Sequence, residues 1–447
     1  MKIENFINNN TLPYAIYDNI RSLSSYIDGQ KEASRKVLHI LLKNKISTPM
    51  RVDNLANLIT LETSYEHTPT SLMGVIVNMG QDFNNNLPIF SKKSFFGSRL
   101  LTNAAAPRYC KGNAPEYLET LFPKEYNPLL LKQQLEGKDI EPRYYIPIIP
   151  LILVNGSKGI STGFAQIILP RDIKKIIKYI KGETKNFDDT PKFPEFQGTV
   201  LKGENINQWI IRGKIELYSK TEILISDLPY GKYSLDDYLN VLNDLKDKKV
   251  IKNFEDLSDT KNKKFKFIVK SFSKIDSLGD WYNKLKLETT ITENFTCIDE
   301  TNSIVVFKNA QELLDRFIEL KLEYTRKYQD YQINKFLLEL NKLKNKIKFL
   351  EDVISGKIKF KDNTKEDIIN LLKKEFSEVN GGYDYLLNIP IWNLTQDNLN
   401  KLKKEYDNLE GEMKEFKKLS EKDIYFRELN NLNKGDLLLL LNIKLYY

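Results

Sequence analysis

The sequence predicts a multidomain α+β protein with a long antiparallel coiled-coil arm, and three observations carry that expectation. The length, 447 residues, exceeds one ordinary domain and suits about three. The middle of the chain alternates strand-like runs with turns around one amphipathic helix. Its last part carries two apolar seams at coiled-coil spacing.

Up to roughly Pro170 the chain mixes helical periods with glycine- and proline-punctuated segments. Lys36-Val37-Leu38-His39-Ile40-Leu41-Leu42 continues a helix that begins near Lys31. Leu55 to Leu61 reads as a second short helix, and Ser71 to Met79 as a third, opened by Pro69-Thr70-Ser71. Short helices followed by Gly/Ser-rich turns and a basic segment fit a winged-helix domain, and many other small α+β domains as well. From roughly Arg171 to Glu300, three runs show β-branched enrichment or alternation: Gly198 to Lys202, Trp209 to Leu217 and Thr221 to Ile225. Lys264 to Lys270 alternates as a strand, and Leu235 to Leu245 lies between as an amphipathic helix, so this part reads as a separate α+β domain. In the last part Ile333, Phe336, Leu340, Leu343, Ile347, Leu350 and Ile354 recur at steps of 3 and 4. Leu399, Leu402, Tyr406, Leu409, Met413 and Phe416 do the same. Each series lays an apolar seam along a helix otherwise covered by Lys and Glu. With Gly356, Gly381, Gly382 and Pro390 between them, the two helices form a hairpin with a small globular tip.

The apolar fraction of 41% is enough for packed cores. Sixty-eight Lys+Arg against 60 Asp+Glu leave a net charge of +8, compatible with a polyanionic partner without requiring one. Cys110 and Cys297 are too few for a disulfide framework or a cysteine-based zinc site. His39 and His67, the two histidines, argue against a histidine-rich metal centre. The start, Met1-Lys2-Ile3-Glu4-Asn5, lacks the apolar core of a signal peptide. The longest apolar stretch, Tyr144 to Val154, is broken by Pro147 and Pro150 and falls short of the ~20 residues of a membrane span. A soluble, intracellular chain is expected.

Two segments carry candidate chemistry. Tyr109 closes the run Ala104-Ala105-Ala106-Pro107-Arg108-Tyr109. A deprotonated tyrosine can attack a phosphodiester and keep the bond energy in a phosphotyrosyl link. An adjacent arginine suits the negative charge that builds on the phosphoryl oxygens. Pro107 disfavours helical geometry at Ala106, which puts the pair on an extended or loop segment. Taken alone, Tyr109 is one tyrosine among 24, and packing or surface is the commoner role. The second segment runs from Glu141-Pro142-Arg143-Tyr144-Tyr145 through Pro147 and Pro150 to Asn155-Gly156-Ser157-Lys158-Gly159-Ile160-Ser161-Thr162-Gly163. It lacks P-loop spacing, and no GxGxxG occurs. It reads either as an extended segment ending in a glycine turn, or as backbone amides and Lys158 meeting a DNA strand. In the second case Ile160 is an apolar wedge between base pairs.

Together these motifs resemble those of the type IIA DNA topoisomerases, most closely the eukaryotic and phage type, over Asp28 to Leu429. Ala104 to Tyr109 looks like the family's active-site tyrosine motif, and Glu141 to Gly163 is similar to its EPxYYxPIxPxxLxNGxxGIxTG stretch. Asp28-Gly29-Gln30-Lys31 with Arg35-Lys36 resembles its first DNA-contacting helix. Leu343 to Leu350 with Val353 to Ile358 looks like the descending arm. Tyr383 to Leu387, Ile391 to Thr395 and Leu419 to Ile424 resemble the dimer gate and returning helix. The fold implied is an N-terminal arm at 1–27, a winged-helix DNA-cleavage domain at 28–170 and an α/β tower domain at 171–310. A coiled-coil arm with a small helical dimerisation gate follows at 311–430, with its tip near 356–394, and a C-terminal tail at 431–447.

The activity implied is that of a homodimeric gate in which each Tyr109 cuts one strand of double-stranded DNA, holds the 5′ phosphate, lets a second duplex through and reseals. Arg108 would stabilise the transition state and His67 would lie near the scissile phosphate. Ile160 would intercalate, and Arg35, Lys36 and Arg99 fall where the family contacts the DNA backbone, with Lys31 and Lys158 alongside. The chain departs from the family at Tyr65-Glu66-His67-Thr68-Pro69, where a histidine and a Gly-Glu pair are lost. It departs again at Lys92-Lys93-Ser94-Phe95, and at Glu32 and Ser34. No ATP-binding motif and no acidic cluster for catalytic Mg²⁺ is found, so both ATP and Mg²⁺ are expected on a separate ATPase/TOPRIM subunit, as in phage or other viral enzymes. The expected holoenzyme is a heterotetramer, cytoplasmic and on DNA, that relaxes and decatenates without supercoiling. The alternative is a non-catalytic DNA-bending or coiled-coil scaffold that keeps the fold.

Overall fold

The computed structural model describes residues 7–358, 364–379 and 381–434. The chain divides into two compact units, Met1–Lys321 with Glu428–Tyr447, and Leu322–Arg427. From 435 onward the expected tail lies outside the described residues, as do residues 1–6 of the expected arm.

The first unit opens with helix α1 (Leu12–Ser22), followed by α2 (Glu32–Lys43). Strand β1 (Met50–Arg51) runs directly into α3 (Val52–Thr63), which is therefore longer than the Leu55 to Leu61 period suggested. Helix α4 (Pro69–Gly80) starts where the sequence placed it: Thr68 Oγ1 accepts from the Ser71 amide, and Pro69 occupies the first turn, where no amide partner is needed. Strands β2 (Ser91–Lys92) and β3 (Lys111–Asn113) join β1 in a three-stranded sheet of order β1-β3-β2 beside the three helices, a winged-helix arrangement. A hairpin follows, β4 (Ser157–Ser161) and β5 (Phe164–Ile168), then α5 (Ile173–Ile180). Ile173, Ile176, Ile177 and Ile180 are all buried, one face of a helical turn repeated, and the Asp172 side chain caps it by accepting from Lys174 N.

Strands β6 (Thr199–Lys202) and β7 (Gln208–Arg212) pair with β12 (Glu288–Thr292) in one sheet. Strands β8 (Lys214–Ser219), β9 (Glu222–Asp227), β11 (Phe267–Lys270) and β10 (Asn253–Asp256) form another, in that order. The run Trp209 to Leu217, read as one strand, is thus two strands in two sheets. Gly213 makes the break possible: a Cβ there would lie 2.5 Å from the Asp227 carbonyl oxygen. Helix α6 (Leu235–Asp247) lays Leu235, Tyr238, Leu242 and Leu245 into one core with Ile223, Ile225, Phe267 and Val269 of the second sheet. Leu100, from the winged-helix part, sits in the same core, and its carbonyl accepts from Leu235 N at 3.0 Å. That shared core explains why the winged-helix and tower segments form a single compact unit. Strands β13 (Phe295–Ile298) and β14 (Ile304–Phe307) close the segment.

In the second unit, most of helix α7 (Ala310–Ile354, 45 residues) runs antiparallel to α9 (Gln396–Lys418). Phe336 meets Phe416 early in the pair, and Lys403 bonds Glu351 near its far end. Leu340, Leu343, Leu350 and Leu399 of the two seams are buried. Gln329 donates to the carbonyls of Phe416 and Leu419, satisfying the end of α9. The tip is a small core of Phe349, Leu350, Leu372, Phe376, Tyr383 and Leu386 around α8 (Lys365–Glu375). Helix α10 (Glu421–Lys434) completes the described chain. No described helix is long and apolar enough to cross a membrane.

One half-buried imidazole makes stability depend on pH. His39 Nδ1 lies 2.7 Å from the Tyr145 hydroxyl, and burial, reinforced by Lys43 and Lys36 against Glu62, pushes its pKa down from 6.5 to about 4. The folded state therefore binds fewer protons than the unfolded chain between those values, so stability falls as pH drops from 6.5 towards 4. In urea titrations across that window, His39→Gln is expected to flatten this slope; an unchanged slope would contradict the assignment.

Candidate active site

Tyr109 sits on a β-turn built by the residue pattern around it. Pro107 occupies the second turn position, which its fixed φ suits, and the Tyr109 amide donates to the Ala106 carbonyl at 2.8 Å. The turn is anchored from both sides: Val52 N donates to the Cys110 carbonyl, and the buried Cys110 thiol lies 3.2 Å from the Ala105 carbonyl oxygen. The phenol itself is 63% exposed, high for an aromatic ring in a protein with a packed core. The Arg108 guanidinium stands 5.0 Å from the centre of the Tyr109 ring, so a cation is held against the phenol. The arrangement presents a phenol to solvent with a cation beside it.

The strap that leads to this turn, Thr102 to Pro107, forms one wall of an open groove of about 360 Å³. The other wall is helix α4, through Thr70, Met73, Gly74, Val77, Asn78 and Gln81. His67 lies in the loop just before α4, half-buried, with its ring edge against Tyr65 and Nε2 3.4 Å from the Tyr17 hydroxyl. The histidine loop and the tyrosine strap thus belong to elements that flank one groove.

Ile160 is 77% exposed on the β4–β5 hairpin, opposite the small Ala165. Lys158 is exposed on the same strand, and its carbonyl accepts from Lys31 Nζ at 2.8 Å. Gly159 is required there, because a Cβ would lie 2.4 Å from the Ser22 carbonyl oxygen of α1.

The profile of the DNA gyrase/topoisomerase IV A-subunit family matches residues 21–431. The chain belongs to this family. It is 30% identical to the mitochondrial DNA topoisomerase 2 of Dictyostelium discoideum over 96% of its length and 35% of that protein. To chicken DNA topoisomerase 2-beta it is 27% identical over 95% of this chain and 29% of the relative. The solved DNA-binding, cleavage and re-ligation domain of Plasmodium falciparum topoisomerase II superposes with a TM-score of 0.81 at 25% identity, covering 98% of this chain and 65% of that one. The chain spans about a third of the length of the curated relatives it matches.

Within this family member, three residues expected at the DNA backbone are otherwise engaged. Arg35 makes a two-pronged bond to the fully buried Asp28, at 2.7 and 3.1 Å, and donates to the Gln30 carbonyl. Lys36 is buried against Glu141 at 2.8 Å and donates to the Thr63 carbonyl. Arg99 is clamped by Asp227 and by the carbonyls of Leu228 and Glu195, among the rings of Phe196, Tyr230 and Phe265. Asp28 is seven residues from Arg35, whereas Glu141 and Asp227 lie more than a hundred residues from Lys36 and Arg99. In this structure all three side chains hold the fold. Lys31 is half-buried, and desolvation lowers its pKa, yet its ammonium reaches the hairpin.

Two cations outside the expected set are better placed. Lys93, just past β2, and Lys111 on β3 are exposed, joined by Lys93 N donating to the Lys111 carbonyl. The usable signal was the Lys92-Lys93 pair, in a segment where the chain departs from the family pattern. Lys93→Ala and Lys111→Ala are each expected to weaken duplex binding and to reduce the log–log salt slope by about one. Arg35→Ala is expected to leave that slope unchanged and to cost about 3–5 kcal/mol of stability by stranding Asp28. Anisotropy titrations over a salt series, paired with urea melts, check both; a reduced slope for Arg35→Ala would place its guanidinium on the DNA backbone. Among the described residues no group of three or more His, Cys, Asp or Glu could hold a metal ion.

Proposed function

We propose that this chain is the DNA cleavage and religation subunit of an ATP-dependent type IIA topoisomerase, with Tyr109 as nucleophile. The observation that carries the proposal is the solvent-exposed Tyr109 hydroxyl on a rigid turn beside the Arg108 guanidinium. Tyr109 Oη forms a bond to phosphorus while the bond from phosphorus to the 3′ oxygen breaks. The phenol's proton is given up to a base, and the departing oxygen takes up a proton as a 3′ hydroxyl. Reversal of the same step reseals the strand. Arg108 bonds the phosphoryl oxygens as charge builds on them, His67 donates to the same phosphate, and Ile160 bends the duplex so that the scissile bond meets the turn. Double-strand cleavage needs two copies, which the gate at the arm's tip would join.

Among the described residues no group of three or more His, Cys, Asp or Glu could hold Mg²⁺, and no ATP-binding motif occurs in the sequence. Both are assigned to TOPRIM and ATPase elements on a partner polypeptide, giving a heterotetramer that relaxes and decatenates DNA. The test mixes the chain with such a partner, interlinked DNA circles, Mg²⁺ and ATP. Released circles, with no net negative supercoiling of a relaxed plasmid, are expected. DNA binding without cleavage in the complete mixture would favour the scaffold reading instead.

A further inference from the structure

We infer that helix α1 braces the DNA-bending wedge, and that Asp18 and Asn19 are positioning residues through which Ile160 acts. The inference rests on the reading of Ile160 as an intercalating side chain. Asp18 Oδ2 accepts from both the amide and the hydroxyl of Thr162, at 2.7 and 2.8 Å. Asn19 Oδ1 accepts from the Ser161 hydroxyl at 2.6 Å. These two hairpin residues directly follow Ile160. One turn on, the Ser22 hydroxyl donates to Asp18 Oδ1 at 3.1 Å and so orients the carboxylate, while the Ser22 carbonyl abuts Gly159 on the other side of the wedge. The residue before Asp18, Tyr17, reaches His67. Tyr17 to Ser22, less than two turns of helix, therefore touch the hairpin on both sides of Ile160 and the histidine loop as well.

The mechanical reason is direct. A two-stranded ribbon is marginally stable by itself, and unstacking a base step costs a few kcal/mol. A compliant hairpin would give way before the base pairs part. Charge-assisted bonds to the turn supply the stiffness. Thr162's hydroxyl, then its amide, holds the Asp18 carboxyl below the usual range, so it stays ionised where the enzyme works.

The test uses the full chain and a short duplex labelled at both ends, reading bending by energy transfer and binding by anisotropy. Asp18→Ala is expected to bind within about twofold of wild type while losing most of the bend, and in an Ile160→Ala background to change neither signal further. Asp18→Asn, which keeps an acceptor, should recover part of the bend. Ser161→Ala and Thr162→Val, which leave α1 intact, should reproduce the partial loss if Asp18→Ala fails to fold. Normal bending by Asp18→Ala, or a further fall in binding when it is added to Ile160→Ala, would overturn the brace. Normal bending by Ile160→Ala, or a wild-type chain that binds without bending, would overturn the wedge reading on which it stands.

Discussion

Tyr109→Phe is expected to abolish protein-linked DNA after detergent quenching in the complete mixture, a drop of at least about 10³-fold, while duplex affinity is retained. The substitution removes one oxygen from a ring already 63% exposed, so no packing is lost and the turn from Ala106 to Tyr109 persists through its backbone bond. Arg108→Ala should act at the same step with a smaller effect, about 10²–10³-fold, because the hydroxyl remains and only charge stabilisation goes. Linked DNA from Tyr109→Phe would move the nucleophile elsewhere among the tyrosines and sink the assignment.

Glu293→Ala is expected to cost about 3–5 kcal/mol of stability. Arg171 is 1% exposed and meets Glu293 through two bonds of 2.6 Å, and the same carboxylate accepts from Trp209 Nε1 and the Leu169 amide. Truncating Glu293 leaves a guanidinium, an indole N–H and an amide without this acceptor in the interior. The cost is the desolvation of those groups more than the attraction between the pair. Replacing both partners, Arg171→Met with Glu293→Leu, should recover much of the loss. Urea unfolding midpoints of the wild type and the two variants decide it: a mild single mutant, or a double mutant no better than Glu293→Ala, would contradict the account. Because Leu169 directly follows β5 and Trp209 lies on β7, this network also ties the β4–β5 hairpin to the neighbouring sheet.

Local patterns were legible because local physics decides them. The seams of α7 and α9 appear as steps of 3 and 4 because a helical hairpin buries one face of each helix. The start of α4 was readable from Pro69-Thr70-Ser71 because proline suits the first turn of a helix, and the structure adds the Thr68 cap. The turn at Tyr109 follows from Pro107, and the folded chain presents the Tyr109 motif as an exposed phenol beside a cation.

What the sequence alone could not decide depended on contacts between distant residues. The split of Trp209 to Leu217 into two sheets turns on how closely Gly213 approaches Asp227. The burial of Arg35, Lys36 and Arg99 turns on Asp28, Glu141 and Asp227, which meet them only once the chain has folded. Helix α1 looked like an arm without a role until Asp18 and Asn19 came to lie on the turn at Ser161-Thr162. A charged side chain looks the same in sequence whether it faces a phosphate or a buried carboxylate. Tertiary structure decides between them because desolvation punishes an unpaired charge and chain topology settles which partner is within reach.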